Sequence, residues 1–186
     1  MLFFKNKLFV FFLLFFIISN YSYANENLIK ILQEQSNIVF IRHSLAPGNG
    51  DPAEFILSDC STQRNLNQKG VSQSKKIGKF FYKNQIPIEL VLSSEWCRCK
   101  DTAFYAFGVF KTFDALNSFY DDRFAANEDE QIKNLKQYIN QWNSEKNLVL
   151  VTHYVVINSI LGVGSGSGEI IVADKNLILQ GRISEY

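Results

Sequence analysis

Short apolar runs that alternate with helical repeats are the feature of this sequence that most restricts its fold. Three runs have the length and β-branched content of buried strands: residues 37–41, 88–92 and 148–152. Three longer segments have an apolar face at helical spacing: residues 67–84, 93–108 and 130–142. This alternation predicts an α/β fold, a three-layer sandwich with a mostly parallel central sheet flanked by helices. In such sheets a ligand pocket lies at the carboxyl ends of the strands.

Shorter patterns complete this alternation. They predict a leading helix (residues 25–35), a short strand (111–116), another short helix (155–161) and a closing hairpin (170–172 with 177–179). Residues 44–61 contain two prolines and two glycines and are predicted to form a loop, which at this length is usually functional. The Gly-Ser tract from Gly162 to Gly168 is predicted to be a flexible connector.

The first residues of the chain form a separate segment. A short basic start precedes an unbroken apolar run from Leu8 to Ile18, and Ser22 and Ala24 supply the small residues of a cleavage site. We therefore expect a signal peptide at residues 1–24, a single domain at residues 25–186 and a periplasmic or secreted protein. An uncleaved membrane anchor is the second alternative, because a span needs roughly 20 apolar residues. No stable membrane span is expected once the signal is removed.

The charged residues are balanced in number. The 19 Lys and Arg residues against 18 Asp and Glu residues give a formal net charge of +1. Such a chain lacks the basic excess that favours nucleic acid or anionic membranes as partners. We therefore expect no nucleic-acid partner.

The sequence has three cysteines, Cys60, Cys97 and Cys99. In an oxidising compartment two of them are expected to pair. A bridge between Cys97 and Cys99 would be strained, because only one residue separates them. Cys60 is therefore expected to pair with Cys97 or Cys99, and the remaining thiol stays free. Their spacing does not match a zinc site, and we predict no metal.

Both histidines of the chain directly follow predicted strands. His43 follows Arg42 at the end of the first strand, and His153 follows the third. Arg98 lies shortly after the second. One histidine at a strand end is most simply a structural residue that hydrogen-bonds a loop. Two histidines and two arginines at three strand ends instead indicate a catalytic pocket.

Phosphoryl transfer through a histidine explains this set of side chains. The nucleophile is a neutral imidazole nitrogen whose ring is fixed by a hydrogen bond to the other nitrogen. Arg42 and Arg98 are suited to bind the phosphoryl oxygens, because guanidinium groups offer fixed forks of N–H donors. His153 is suited to donate a further hydrogen bond to the same oxygens. His43 is then the nucleophile.

The motifs that carry these residues resemble the histidine phosphatase (phosphoglycerate mutase-like) superfamily. Four elements occur in that superfamily's order: Ile41-Arg42-His43, Arg64-Asn65-Leu66-x₃-Gly70-x₂-Gln73, Ser93-Ser94-x₃-Arg98-x₃-Thr102-Ala103 and Val151-Thr152-His153. The similarity extends from about residue 38 to residue 172. The export signal and the Trp96-Cys97-Arg98-Cys99 segment are most similar to the small exported bacterial members.

The resemblance implies a metal-independent phosphohydrolase, and the predicted signal peptide adds that it is exported. It implies a phosphohistidine intermediate on His43, with Arg42, Arg98 and His153 in the phosphate pocket. No cofactor is implied. The substrate would be a small phosphorylated compound, an envelope component being one candidate. The alternative function is a catalytically impaired module that binds a phosphorylated ligand on the same fold.

The sequence departs from the superfamily pattern at two points. The usual glycine after Arg-His is Ser44, whose hydroxyl is predicted either to be tolerated or to face the phosphate. No general acid is evident between the second and third motifs. We favour Asp51, on the loop after the nucleophile, over Asp121, Asp122 and Glu169; a loop-capping role for Asp51 is equally consistent with the sequence. Arg64 is predicted either to extend the basic pocket or, preferably, to brace a Glu or Asp at the start of its helix.

Overall fold

The structure, a computed structural model, describes residues 26–34 and 36–186. Residues 26–34 are helical (α1). The other helices are α2 (Gln68–Lys83), α3 (Cys97–Phe107), α4 (Glu128–Gln141) and α5 (Tyr154–Leu161). The strands are β1 (Ile38–Arg42), β2 (Ile88–Ser93), β3 (Lys111–Thr112), β4 (Asn147–Thr152), β5 (Ile170–Ala173) and β6 (Leu179–Ile183). The predicted signal peptide lies outside the described residues.

The strands form one six-stranded sheet in the order β3-β2-β4-β1-β5-β6. Strands β3, β2, β4 and β1 are mutually parallel, and β5 pairs antiparallel with both β1 and β6. The predicted α/β fold with a mostly parallel sheet is therefore confirmed. The crossover helices arise because parallel neighbours cannot be joined by tight turns.

Helices cover both faces of the sheet, which gives the predicted three layers. On one face Val39, Val149 and Val151 pack with side chains of α2 and α3, including Ile77 and Ala103. On the other face the alternate residues Ile38, Phe40, Leu148 and Leu150 pack against α4 and α5, represented by Leu135 and Ile157. Burial on both faces explains why β4 is continuously apolar from Leu148 to Val151 instead of alternating with polar residues.

Several predicted boundaries shift in the structure. The helix predicted from residue 93 begins at Cys97, and its N-cap residue is Trp96, which makes no side-chain cap hydrogen bond. The strand predicted over 111–116 is shorter, and residues Asp114–Leu116 form a 3₁₀ turn instead. The closing hairpin is confirmed, although its second strand begins at Leu179.

The cysteines adopt one of the two predicted pairings. Cys60 and Cys97 form a disulfide with a Cα–Cα distance of 5.6 Å, and Cys99 is free and buried. The bridge joins the long loop after β1 to the first residue of α3. No helix within residues 26–34 and 36–186 is long and apolar enough to cross a membrane.

Candidate active site

The carboxyl ends of three strands meet at one edge of the sheet. Strands β2, β4 and β1 are neighbours, and Arg42 of β1 lies in register with Thr152 of β4. His43 and His153 directly follow these two residues, and Arg98 lies in the first turn of α3, just after β2. Together they line a pocket whose wall also includes Asp51 and Arg64.

His43 is buried and held by hydrogen bonds to both its backbone and its ring. Its backbone N–H donates to the Thr152 carbonyl at 2.9 Å, and its Nδ1 lies 2.8 Å from the Ser44 carbonyl. A carbonyl only accepts, so Nδ1 carries the proton in this contact. In the neutral ring Nε2 is then the nitrogen with a free lone pair. This is the tautomer that a nucleophilic histidine needs.

The pocket keeps both imidazoles neutral. Burial lowers the pKa of His43 well below its ordinary value, and the nearby Arg98 and Arg42 guanidinium groups lower it further. The pKa of His153 is also lowered well below its ordinary value, first by burial and then by Arg98 and His43. The two ring centroids are 5.5 Å apart. A neutral imidazole retains the lone pair that a nucleophile requires.

Arg42 is held by the Gly-Ser tract that follows α5. Its Nη1 donates to the Ser165 carbonyl at 2.6 Å, and its guanidinium lies over the Tyr154 ring at 5.3 Å from the centroid. The Gly168 N–H contacts the backbone carbonyls of both Arg42 and His43. Glu169 fixes the tract by accepting from the Gly166 N–H at 2.7 Å. The predicted flexible connector therefore makes specific contacts with the pocket.

Arg98 is almost completely buried, with 3% of its surface exposed. Its Nη1 donates to both carboxylate oxygens of Asp51, at 2.8 Å and 3.0 Å. Its Nε is buried and has no hydrogen-bond partner among the described residues, and the same is true of Arg42 Nε. Buried guanidinium N–H groups without partners are costly, so both are suited to bind an anion in the pocket.

Arg64 braces the loop that bounds the pocket. Its Nε donates to the Gly50 carbonyl at 2.7 Å, and its Nη1 donates to the Ala46 carbonyl. The side chain thus has a structural role, but its partners are loop carbonyls and not a Glu or Asp at the start of the helix. Arg64 also lines the pocket beside Arg98, so its charge contributes to the positive potential there.

His153 is fixed by a chain of hydrogen bonds that continues to Asn117. Its Nε2 lies 2.9 Å from Ser94 Oγ, which donates to Asn117 Oδ1 at 3.1 Å. The same Asn117 oxygen accepts from the Glu95 N–H at 2.8 Å. Since Ser94 donates its only proton to Asn117, His153 Nε2 donates to Ser94, which leaves Nδ1 as the other ring nitrogen for a ligand.

Ser44 does not occupy the position that we considered for a phosphate ligand. Its hydroxyl accepts from Ser74 Oγ on α2 at 2.8 Å, and its N–H donates to Thr102 Oγ1 on α3 at 2.9 Å. Ser44 is completely buried and is not among the residues that line the pocket. Ser44 contributes to the site through its backbone carbonyl, which accepts the hydrogen bond from His43 Nδ1. The prediction that its hydroxyl faces the phosphate is therefore corrected.

The carboxyl groups considered as general acids are engaged in other contacts or lie outside the pocket. Asp51 is paired with Arg98, and Asp121 is paired with Arg123 at 2.9 Å. Glu169 supports the Gly-Ser tract behind Arg42 and does not line the pocket. Asp122 does not line it either. Among the described residues, Asp51 and Asp121 are therefore the two carboxyl groups that line the pocket, and each is paired with an arginine, Asp51 in a buried contact and Asp121 in an exposed one.

The rim of the pocket contains residues that the sequence motifs did not indicate. Tyr120 and Tyr154 are 44% and 37% exposed, and their ring centroids are 5.8 Å apart. Asn49 donates to the Tyr120 hydroxyl at 3.0 Å. The position of Tyr154 directly after His153 was the available sequence signal. Ser94 lies within the second motif, whereas the sequence around Asn117 contains no motif.

Other parts of the structure offer no comparable set of side chains. The broad cleft between α2 and the C-terminal residues, which includes Lys69 and Tyr186, contains neither histidine nor arginine. Among the described residues no group of three or more His, Cys, Asp or Glu side chains is placed to hold a metal ion.

Comparison with solved structures places this fold beside known phosphatases and mutases. The chain is similar to a candidate phosphohistidine phosphatase, SixA, from Agrobacterium tumefaciens, with 19% identity, a TM-score of 0.56, and coverage of 81% of this chain and 99% of that one. A structure of the protein histidine phosphatase SixA complexed with tungstate is 17% identical, with a TM-score of 0.54 and coverage of 80% and 96%. Phosphoglycerate mutase from Thermus thermophilus is 13% identical, with a TM-score of 0.58 and coverage of 81% and 99%.

At these identities the similarity establishes the phosphoglycerate mutase-like fold alone. No protein-family profile matches the sequence, and no curated protein sequence is significantly similar to it. The pocket residues described above must therefore carry any assignment of function.

Proposed function

We propose that this chain is a phosphohydrolase of the histidine phosphatase type, with His43 as the nucleophile and no metal requirement. The observation that carries the proposal is the contact between His43 Nδ1 and the Ser44 carbonyl. It leaves Nε2 unprotonated in a pocket that also presents Arg42, Arg98 and His153. A neutral nucleophile surrounded by N–H donors is suited to attack a phosphoryl group and to stabilise its negative charge.

The first half of the reaction forms a phosphohistidine. The lone pair of His43 Nε2 attacks phosphorus, and the bond from phosphorus to the leaving group breaks with its electron pair on the leaving atom. Arg42 and Arg98 bind the equatorial oxygens, and His153 Nδ1 donates to them when that ring is protonated. The bound anion offsets the repulsion between His153 and the arginines, so ligand binding favours that protonation.

The second half releases phosphate. A water molecule attacks the phosphorus, the P–N bond breaks, and its electron pair returns to His43 Nε2. The proton lost by the water leaves with the inorganic phosphate. The hydrogen bond from Nδ1 to Ser44 is present throughout, so the ring returns to the same tautomer.

The arrangement of carboxyl groups favours substrates with good leaving groups. Of the two carboxyl groups that line the pocket, Asp51 is buried against Arg98, and Asp121 forms an exposed pair with Arg123. Neither is the unpaired, buried acid that is best suited to protonate a poor leaving group. Acyl phosphates and phosphoramidates, including phosphohistidine, need less proton donation than alkyl phosphates. SixA, a structural neighbour, is named as a protein histidine phosphatase, which agrees with this choice.

Export to the periplasm or outside the cell belongs to the same proposal. The predicted signal segment precedes the described residues, and the Cys60–Cys97 disulfide is typical of an oxidising compartment. The physiological substrate would then be a small phosphorylated compound outside the cytoplasm, such as an envelope component.

The proposal is tested by turnover and by trapping of the intermediate. The purified protein is incubated in EDTA with an acyl phosphate, a phosphoramidate, an aryl phosphate and an alkyl phosphate. We expect turnover that is fastest on the first two, and an acid-labile, alkali-stable phosphoprotein after rapid quenching. His43→Asn is the matched variant, since its amide N–H can replace the Nδ1 donor while Nε2 is lost. It should lower kcat by about 10⁴-fold or more.

A phosphorylated-ligand-binding module is the second candidate, favoured by the engaged carboxyl groups. Calorimetric binding of inorganic phosphate separates the two functions. If the protein binds phosphate but turns over none of the four compounds, and no phosphoprotein is trapped, the binding function replaces the hydrolase.

A further inference from the structure

We propose that Asp51 is a positioning residue for Arg98 and not the proton donor of the site. This inference rests on the proposed function, because it assigns a role within the same phosphate pocket. The sequence alone favours Asp51 as the general acid. In the structure its carboxylate lies against Arg98 and is surrounded by hydrogen-bond donors.

Three nitrogen atoms donate to the two oxygens of Asp51. Oδ1 accepts from the Arg64 N–H at 2.9 Å and from Arg98 Nη1 at 2.8 Å. Oδ2 accepts from Trp96 Nε1 at 3.1 Å and from Arg98 Nη1 at 3.0 Å. The Asp51 side chain is 7% exposed. A proton on either oxygen would face another N–H group, so this environment fits an acceptor and not a donor.

Asp51 determines which edge of the Arg98 guanidinium is presented to a ligand. Its two contacts, together with a longer one from Nη1 to the Arg64 carbonyl at 3.5 Å, engage Nη1. The edge that carries Nε and Nη2 is left for the phosphoryl group, and Nε is buried without a partner among the described residues. A guanidinium held through Nη1 is oriented before the substrate arrives, which lowers the entropy cost of a bidentate contact through Nε and Nη2.

Asp51 also offsets the charge that surrounds Arg98. Arg42, Arg64 and Arg98 all line the same small pocket. Arg98 is the most deeply buried of the three, and a buried cation is strongly destabilising unless it is paired. The carboxylate of Asp51 supplies the paired negative charge while the pocket is without an anion.

The loop that carries Asp51 is attached to the helix that carries Arg98. The Cys60–Cys97 disulfide joins the loop to the residue directly before Arg98. Arg64 holds the loop from the other side through the Gly50 and Ala46 carbonyls. Asp51 and Arg98 are therefore fixed relative to each other by covalent and hydrogen-bonded connections, as a positioning contact requires.

The test is a double-mutant cycle between Asp51→Asn and Arg98→Ala, read by calorimetric binding of inorganic phosphate and by kcat/KM. In the otherwise unchanged protein, Asp51→Asn should weaken phosphate binding and lower kcat/KM by about 10- to 100-fold, the cost of a displaced catalytic group. In the Arg98→Ala background, Asp51→Asn should leave phosphate binding unchanged or strengthen it. Without Arg98, the Asp51 carboxylate only repels the anion, and the substitution removes that repulsion. Glu54→Gln, which removes an exposed carboxylate from the same loop, is the control and should leave both readouts unchanged.

A leaving-group series distinguishes positioning from proton donation. If Asp51 positions Arg98, Asp51→Asn lowers kcat/KM by the same factor on an aryl phosphate and on an alkyl phosphate. A selective loss on the alkyl phosphate, together with loss of the alkaline limb of the pH profile, would overturn the proposal in favour of a general acid. Additive effects of the two substitutions on phosphate binding would also overturn it. The circular dichroism and melting curve of each variant verify that it is folded.

The binding cycle separates this proposal from the proposed function. If the unchanged protein turns over no phosphorylated compound, the hydrolase function fails, yet coupling between Asp51 and Arg98 in phosphate binding still supports positioning. If the protein hydrolyses phosphoramidates normally but the two substitutions are uncoupled, the hydrolase function stands and the positioning role fails.

Discussion

At the scale of single residues, the two histidines dominate the chemistry of the pocket. Both are buried, and both have a pKa well below the ordinary value because burial and nearby arginines disfavour the imidazolium. Neither ring has a carboxylate partner in the described hydrogen bonds. His43 contacts a backbone carbonyl, and His153 contacts the Ser94 hydroxyl. The folded protein therefore takes up protons on these rings only at acidic pH.

This difference predicts that the protein loses stability as the pH falls below about 6.5, the ordinary pKa of histidine. Below that pH the unfolded chain binds protons that the folded protein does not, so the free energy of unfolding decreases. The slope is at most about 1.4 kcal/mol per pH unit for each histidine, and it ends where the folded-state pKa is reached. Urea unfolding between pH 7.5 and pH 5.5 measures it.

Nuclear magnetic resonance supplies the direct control, because the chain has only two histidines. Both imidazole C2–H signals should keep their neutral positions at pH 6. Titration of either ring near pH 6.5 in the folded protein would contradict the prediction. His153→Asn should roughly halve the pH dependence of stability if each ring contributes equally.

At the scale of secondary-structure elements, α2 and α3 approach so closely that a glycine is required between them. A Cβ added at Gly78 would lie 2.1 Å from the Ala106 carbonyl oxygen, near the end of α3. The obstruction is backbone, so it cannot be relieved by a side-chain rotation. Since α3 carries Arg98 in its first turn, the position of α2 also bears on the pocket.

We expect Gly78→Ala to destabilise the protein by about 1–3 kcal/mol, the usual cost of overpacking. The result is informative because alanine favours a helix over glycine by about 1 kcal/mol when nothing obstructs it. Chemical denaturation measures the change. Ser72→Ala, at an exposed position of the same helix, is the control and should leave stability unchanged or slightly raised. A stabilised Gly78→Ala variant would show that the helices do not make this contact.

The strand ends illustrate what can be predicted from sequence at the level of elements. The apolar runs located β1, β2 and β4, and the rule for parallel sheets placed His43 and His153 at a common edge. The N-terminus of α3 was less predictable. Ser93 and Ser94 looked like helix caps, but Ser94 instead turns toward His153 and Asn117. The orientation of the Ser94 side chain therefore depends on Asn117, which lies 23 positions away in the chain.

At the scale of the whole molecule, the disulfide limits the freedom of the unfolded chain. Cys60 and Cys97 are 37 positions apart, so the bridge closes a long loop. The loop spans α2 and β2 and therefore includes one covering helix and one strand of the central sheet. Closure of such a loop lowers the entropy of the unfolded chain and stabilises the folded protein.

The double substitution Cys60→Ser and Cys97→Ser should therefore lower the free energy of unfolding by about 2–4 kcal/mol. Reductant should have a similar effect on the unchanged protein and none on the variant. Urea unfolding with and without dithiothreitol makes this comparison. Equal stability of the oxidised protein and the variant would mean that the bridge contributes nothing. Cys99 is not a suitable control position, because it is buried against Thr152 and His153.

The sequence by itself determined the class of fold and the four histidine and arginine residues that meet at the strand ends: Arg42, His43, Arg98 and His153. Both follow from local physics: apolar runs become buried strands, and the residue after a parallel strand emerges at the ligand-binding edge. Histidine and arginine then limit the chemistry that this edge can perform. The exclusion of a Cys97–Cys99 bridge was also a local conclusion, because two cysteines separated by one residue cannot form a disulfide without strain.

Only the tertiary structure decided how those residues are used. It paired Cys60 with Cys97, turned the Ser44 hydroxyl toward Ser74, and placed the Asp51 carboxylate on Arg98. These outcomes depend on contacts between segments 30 or more positions apart in the chain, such as the 47 positions between Asp51 and Arg98. A carboxylate in a loop has the same sequence signature whether it donates a proton or holds an arginine. The difference lies in the donors that packing brings to its two oxygens.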